Sequence, residues 1–192
     1  VSKKDKEFFY GLLKANKELE FYYLRGNHDS NTTYNEELDN LHTFSDKWTS
    51  FTLEEGVTLS GIELTEANQG SLYSSLTLNR DDHNIVMMHG QETSSVSNPL
   101  EDIKIKDLEN KNIDYLALGH IHKHSETSLD KRGKYVYPGC IQGRGFDEEG
   151  KKGFIVYDTD TKEATFISFA KPKSQANSFI LENQTSFSSL EE

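Results

Sequence analysis

Apolar positions along the chain follow two different periods. Between residues 3 and 19, Phe8, Leu12, Ala15 and Leu19 recur at helical spacing. Phe9 and Leu13 widen the stripe and lysines lie opposite, so the pattern predicts an amphipathic helix over 3–19. Residues 20–24 are aromatic and β-prone, which predicts a short buried strand ending at Arg25-Gly26-Asn27. Residues 57–64 alternate as a strand does. Residues 84–88 and 113–118 are continuous apolar runs, the pattern of strands buried on both faces. Between them, residues 103–111 predict a short helix. The second half changes character: residues 126–129, 134–137, 153–158 and 164–169 read as antiparallel strands, joined by turns such as Lys131-Arg132-Gly133 and Asp158-Thr159-Asp160. Helix, strand and polar loop in alternation predict an α/β fold. Residues 30–40 read as a polar loop, and the Ser-, Asn-, Gln- and Glu-rich residues 173–192 as a tail or linker after a domain over 1–172.

Three of the predicted buried strands end in polar clusters: Gly-Asn-His-Asp at 26–29, His-Gly at 89–90 and Gly-His-Ile-His at 119–122. Ligands of open α/β sheets bind beyond the carboxyl ends of strands, so the clusters are expected to converge. They bring Asn27, His28, Asp29, His89, His120 and His122. Imidazole and oxygen donors without cysteine suit manganese, iron, zinc or nickel rather than a structural thiolate zinc. In an extended segment His120 and His122 would face the same way, letting each reach a different ion of a pair about 3.5–4 Å apart. The glycine before a cluster allows a sharp turn or a close approach.

These motifs, in this order, resemble the calcineurin-like metallophosphoesterase superfamily. Tyr137-Pro138-Gly139-Cys140-Ile141-Gln142 and the stretch 146–154 are similar to the SbcD-like bacterial DNA repair exonuclease branch. The resemblance implies a sandwich of two mixed β-sheets flanked by helices. It also implies metal-dependent phosphoester hydrolysis with two divalent cations, manganese first, on a phosphodiester such as DNA, and an SMC-like ATPase as partner. Asn27, His89 and His120 would hold one ion and His122 would help hold the other. His28, oriented by Asp29, would face the phosphate and act on the leaving oxygen.

Two family motifs, Asp-X-His and Gly-Asp-X-X-Asp, do not match. None of the 13 glycines is followed by aspartate. The lone Asp-X-His, Asp81-Asp82-His83, enters a strand rather than leaving one and is read as a decoy. The bridging carboxylate is therefore expected in an N-terminal βα segment before Val1, and residues 1–192 alone are expected to be inactive.

Charge narrows the substrate. Lys plus Arg number 21 and Asp plus Glu 32, a net charge of −11. Any nucleic-acid binding must then come from a local site, which keeps a small-molecule or nucleotide phosphatase as the enzymatic alternative. A catalytically silent binding module is the rival of another class, and the sequence upstream of Val1 discriminates the two. No apolar run approaches the roughly 18 residues of a membrane span. The single cysteine, Cys140, excludes an internal disulfide and fits a cytoplasmic setting. Arg144 is a candidate phosphate contact or a turn residue, His42 is read as surface, and His124 as a solvent-facing strand position.

Overall fold

The computed structural model describes residues 3–29, 38–143 and 150–170. One α-helix, α1 (Lys3–Ala15), precedes twelve strands in the described residues. They are β1 (Phe21–Tyr23), β2 (Leu41–Thr43), β3 (Thr49–Glu54), β4 (Val57–Gly61), β5 (His83–His89) and β6 (Gln91–Glu92). β7 (Asp102–Ile103), β8 (Tyr115–Gly119), β9 (Ser125–Ser128), β10 (Lys134–Tyr137), β11 (Lys152–Asp158) and β12 (Glu163–Ala170) follow. Expectations for 30–37, Arg144 and the tail lie outside the described residues.

The centre is a six-stranded mixed sheet in the order β3-β4-β5-β8-β10-β9. β4, β5, β8 and β10 run parallel, and an antiparallel strand closes each edge. The two apolar runs become β5 and β8 because both of their faces are covered. Val86, Met88, Leu116 and Leu118 face one core, with Leu72, Ile103, Leu108 and Ile113 packed over them. Ile85, Tyr115 and Val136 face the other, beneath Tyr22, Ile155 and Tyr157 from β1 and β11.

The expected layering is present: in the described residues the second layer is two separate strand pairs, β1–β2 and β11–β12, and loops with the short β7 and its following turn cover the opposite face. The helix expected over 103–111 is β7 followed by one helical turn, Ile105–Leu108. Asn110 and Asn112 take φ of 60° and 63°, left-handed values that stop a helix from continuing.

The first helix is shorter and rotated from expectation. Asn40 Nδ2 donates to the carbonyls of Leu13, Asn16 and Leu19, satisfying acceptors left orphaned beyond Ala15. Tyr10 and Leu13 are buried, and Phe9 reaches Tyr23 of β1. Phe8 is 69% exposed and Leu12 46%. Two apolar stripes compete on this helix, and contact with β1 selects the one through Phe9 and Leu13. No helix among the described residues is long and apolar enough to cross a membrane.

Candidate metal centre

The chain leaves β1 through Arg25, whose backbone N–H and guanidinium both bind the buried Glu63 carboxylate. This anchor starts the single helical turn Asn27–Asp29, closed by Asp29 N–H to the Gly26 carbonyl at 2.9 Å. β5 delivers His89 in register with Gly119 of β8. His89 Nε2 hydrogen-bonds Asn27 Oδ1 at 3.1 Å, which joins the first cluster to the second. The His120 ring meets the His89 ring edge-on, centroids 5.3 Å apart and planes at 89°. Asn27, His89 and His120 therefore come together from three separate stretches of sequence.

Glycine makes this approach possible. A Cβ on Gly26 would lie 2.7 Å from His89 Cε1, and one on Gly119 would lie 2.5 Å from His89 Nδ1. Any side chain at either position would push the ring out of its slot.

Burial is the main force holding His89 down to about 4; His120 adds to it and Asp29 opposes it. The ring is neutral at pH 7 and retains a lone pair for a cation or proton.

The other expected residues are placed less as the sequence suggested. β8 stops at Gly119, and His120 takes a φ of 94°, a strained backbone for a residue with a side chain. His122 follows in a bend and is exposed, so the extended geometry expected for the His120–His122 pair does not form. Its carbonyl accepts from Cys140 Sγ at 3.6 Å and from Lys152 Nζ at 3.3 Å. His28 is exposed. Asp29 accepts from the Tyr23 hydroxyl at 3.0 Å. His124 packs instead of facing solvent, stacked on Phe166 with centroids 4.4 Å apart. His83, of the decoy motif, begins β5 at the end opposite His89.

Sequence reasoning missed Glu101. Its Oε1 accepts from Asn27 Nδ2 at 2.7 Å across 74 residues of sequence. Within its polar loop it reads as one more solvated acid, and no local pattern marks it.

The donor chemistry fits a borderline divalent cation in part: one carboxamide oxygen and two imidazoles, with no thiolate. Among the described residues no three His, Cys, Asp or Glu side chains gather closely enough to hold an ion. The convergence is instead Asn27 with His89 and His120. Of the adjacent carboxylates, Asp29 accepts from the Tyr23 hydroxyl and Glu101 from the Asn27 amide.

Three comparisons bear on this arrangement. The chain is 31% identical over 152 residues to the uncharacterized metallophosphoesterase YhaO of Bacillus subtilis (strain 168), which spans 72% of this chain. The chain spans only about a third of that relative's length, 36%. Its backbone is similar to the crystal structure of TT1561 of Thermus thermophilus, at a TM-score of 0.54, with 85% of this chain and 77% of that one covered. At 14% identity that likeness speaks for the fold alone. The calcineurin-like phosphoesterase superfamily domain matches residues 6–162, and the chain belongs to that superfamily.

Proposed function

We propose that this chain carries the asparagine- and histidine-donating part of a dinuclear phosphodiesterase centre. The observation that carries the reading is the convergence of Asn27 Oδ1 with His89 Nε2 at 3.1 Å, beside the His120 ring, beyond the carboxyl ends of β5 and β8. Asn27, His89 and His120 would hold one divalent cation, and the exposed His122 would serve the second. Manganese is the first choice, with iron, zinc and nickel as alternatives. Bound cations would draw charge from the phosphate oxygens and lower the pKa of water. His28, exposed on the same turn as Asn27, would hydrogen-bond the phosphate or protonate the leaving oxygen. Asp29, tied to Tyr23, would keep that turn closed.

Two cations about 3.5–4 Å apart repel each other unless a carboxylate lies between them. By the family pattern that carboxylate, with two further ligands, would come from a preceding βα segment. Residues 1–192 alone would give little hydrolysis and substoichiometric metal.

The similarity of 137–142 and 146–154 to the SbcD-like branch favours a phosphodiester substrate, DNA included, with an SMC-like ATPase as partner. The net charge of −11 favours a small phosphodiester as the second reading. An Mn2+ assay on bis-p-nitrophenyl phosphate, p-nitrophenyl phosphate and single- and double-stranded DNA tests the reading. It should compare residues 1–192 with a protein extended by aspartate-bearing βα units, on the order of 50 residues. Diester hydrolysis by the extended protein alone is the expected result. Robust turnover by residues 1–192, or none by either, would contradict it.

A further inference from the structure

We propose that Glu101 is a positioning residue for this centre: its carboxylate takes the Asn27 amide hydrogens and thereby turns Asn27 Oδ1 toward the cation. The inference rests on reading Asn27 as a cation ligand.

A carboxamide has one end that accepts and one that only donates, and only the oxygen can ligate a cation. An ionised carboxylate has lone pairs and no hydrogens. Asn27 Nδ2 donating to Glu101 Oε1 at 2.7 Å therefore decides the orientation, since a flipped amide would set oxygen against oxygen. Charge-assisted hydrogen bonds of this kind are stronger than neutral ones.

The loop around Glu101 is built to hold that carboxylate still. Its second oxygen, Oε2, accepts from Asn98 Nδ2 at 2.8 Å. The next residue, Asp102, is 1% exposed and gathers the loop: it accepts from the Ser97 and Asn98 backbones, each at 2.7 Å, and from Gln91 Nε2 at 2.9 Å. The Glu101 carbonyl accepts from Gln91 N–H at 2.6 Å, two residues beyond His89. That carbonyl lies so close over Gly90 that a Cβ there would collide with it. With each oxygen held by an asparagine amide, Glu101 is placed to act through Asn27. Outer-shell partners that orient ligands influence metal affinity in the same way elsewhere.

The test is calorimetric titration of Mn2+ alone into the wild type and into Glu101→Leu, Glu101→Gln and Asn27→Ala, with NMR of the Asn27 side-chain amide in metal-free protein. Glu101→Leu should weaken Mn2+ binding by about 10–100-fold. Glu101→Gln keeps an acceptor for Asn27 and should stay close to wild type. The Asn27 Nδ2 protons should be hydrogen-bonded in the wild type and released in Glu101→Leu. Should that variant fail to fold, the wild-type spectrum decides: slowly exchanging Nδ2 protons support the role, and freely exchanging ones overturn it. Unchanged affinity in Glu101→Leu overturns the positioning role. So does equal loss in Glu101→Leu and Glu101→Gln, which would mark Glu101 as a direct ligand. No Mn2+ binding by the wild type, or none lost in Asn27→Ala, overturns the cation reading of Asn27 and Glu101's role with it.

Discussion

β5 carries a histidine at each end, and the protein treats the two oppositely. At its start, His83 lies within a network of polar and charged groups, its buried Nδ1 facing a carboxylate without a hydrogen bond. Tyr157 hydroxyl and His83 Nε2 are 2.8 Å apart, and Asp114 Oδ1 lies 3.6 Å from His83 Nδ1. Asp114 also accepts from Arg132 at 2.7 Å and from the Asn84 backbone at 2.9 Å. Arg132 goes on to bind the carbonyls of Arg80 and Asp82, stitching three loops together. At the other end of the strand, His89 sits between two glycines and faces a carboxamide oxygen and a second imidazole. Opposite charges close the first end. The second gathers neutral donors around one spot, an arrangement suited to an incoming positive charge. Burial lowers the proton affinity of both histidines, so burial alone does not identify a site; the partners do.

The largest effects should come from the site end. In a protein with its acidic donors complete, His28→Ala should lower phosphodiester turnover by about 10²–10⁴-fold while leaving Mn2+ content nearly intact. His120→Ala should lower both, as metal analysis alongside kinetics would reveal. Equal metal loss in the two variants would contradict the separate roles.

Asp114→Ala attacks the opposite end. It strands a guanidinium and leaves the Asn84 N–H without its acceptor, so stability should fall by about 3 kcal/mol in urea denaturation. Mn2+ affinity should not change, because Asp114 serves only the closed end. A joint loss would mean the two ends are coupled.

Gly119→Ala should show the reverse pattern. The atom it meets belongs to the His89 ring, which can swing away at little cost in stability. Mn2+ binding should then weaken by roughly tenfold or more, the scale of a misplaced ligand. A large stability loss with intact binding would show that the slot serves packing instead.

Acid should produce the smallest and most gradual effect. Folded His89 resists protonation down to about 4, whereas in the unfolded chain it takes a proton near 6.5. The unfolded state thus binds more protons in that window, and stability should decline as pH falls from about 6.5 toward 4. His83 is shifted in the same direction by burial, opposed by Asp114. Urea midpoints across pH 7.5–4.5 should fall in metal-free wild type and fall less steeply in His89→Gln.

The central strands were legible because β5 and β8 are buried on both faces, and such strands leave unbroken apolar runs. β2 and β3 left no comparable trace: Leu41 and Phe51 are only half-buried and their neighbours are polar or exposed. Residues 103–111 predict a helix where the chain makes a short strand leading into a single tight turn, and both bury apolar side chains. In α1 the choice between two stripes rests on β1, information no window of 17 residues holds. At the site, Asn27, His89 and His120 stood out because each follows a strand and a glycine adjoins each cluster. Glu101 did not, since its partner lies 74 residues away.

The most direct test of the account is a crystal structure of the protein soaked with Mn2+, with the ion located by anomalous scattering. A peak bonded to Asn27 Oδ1, His89 and His120 at roughly 2.0–2.2 Å is the expected result. A peak elsewhere, such as among Asp114 and its neighbours, or no peak at saturating Mn2+, would contradict it.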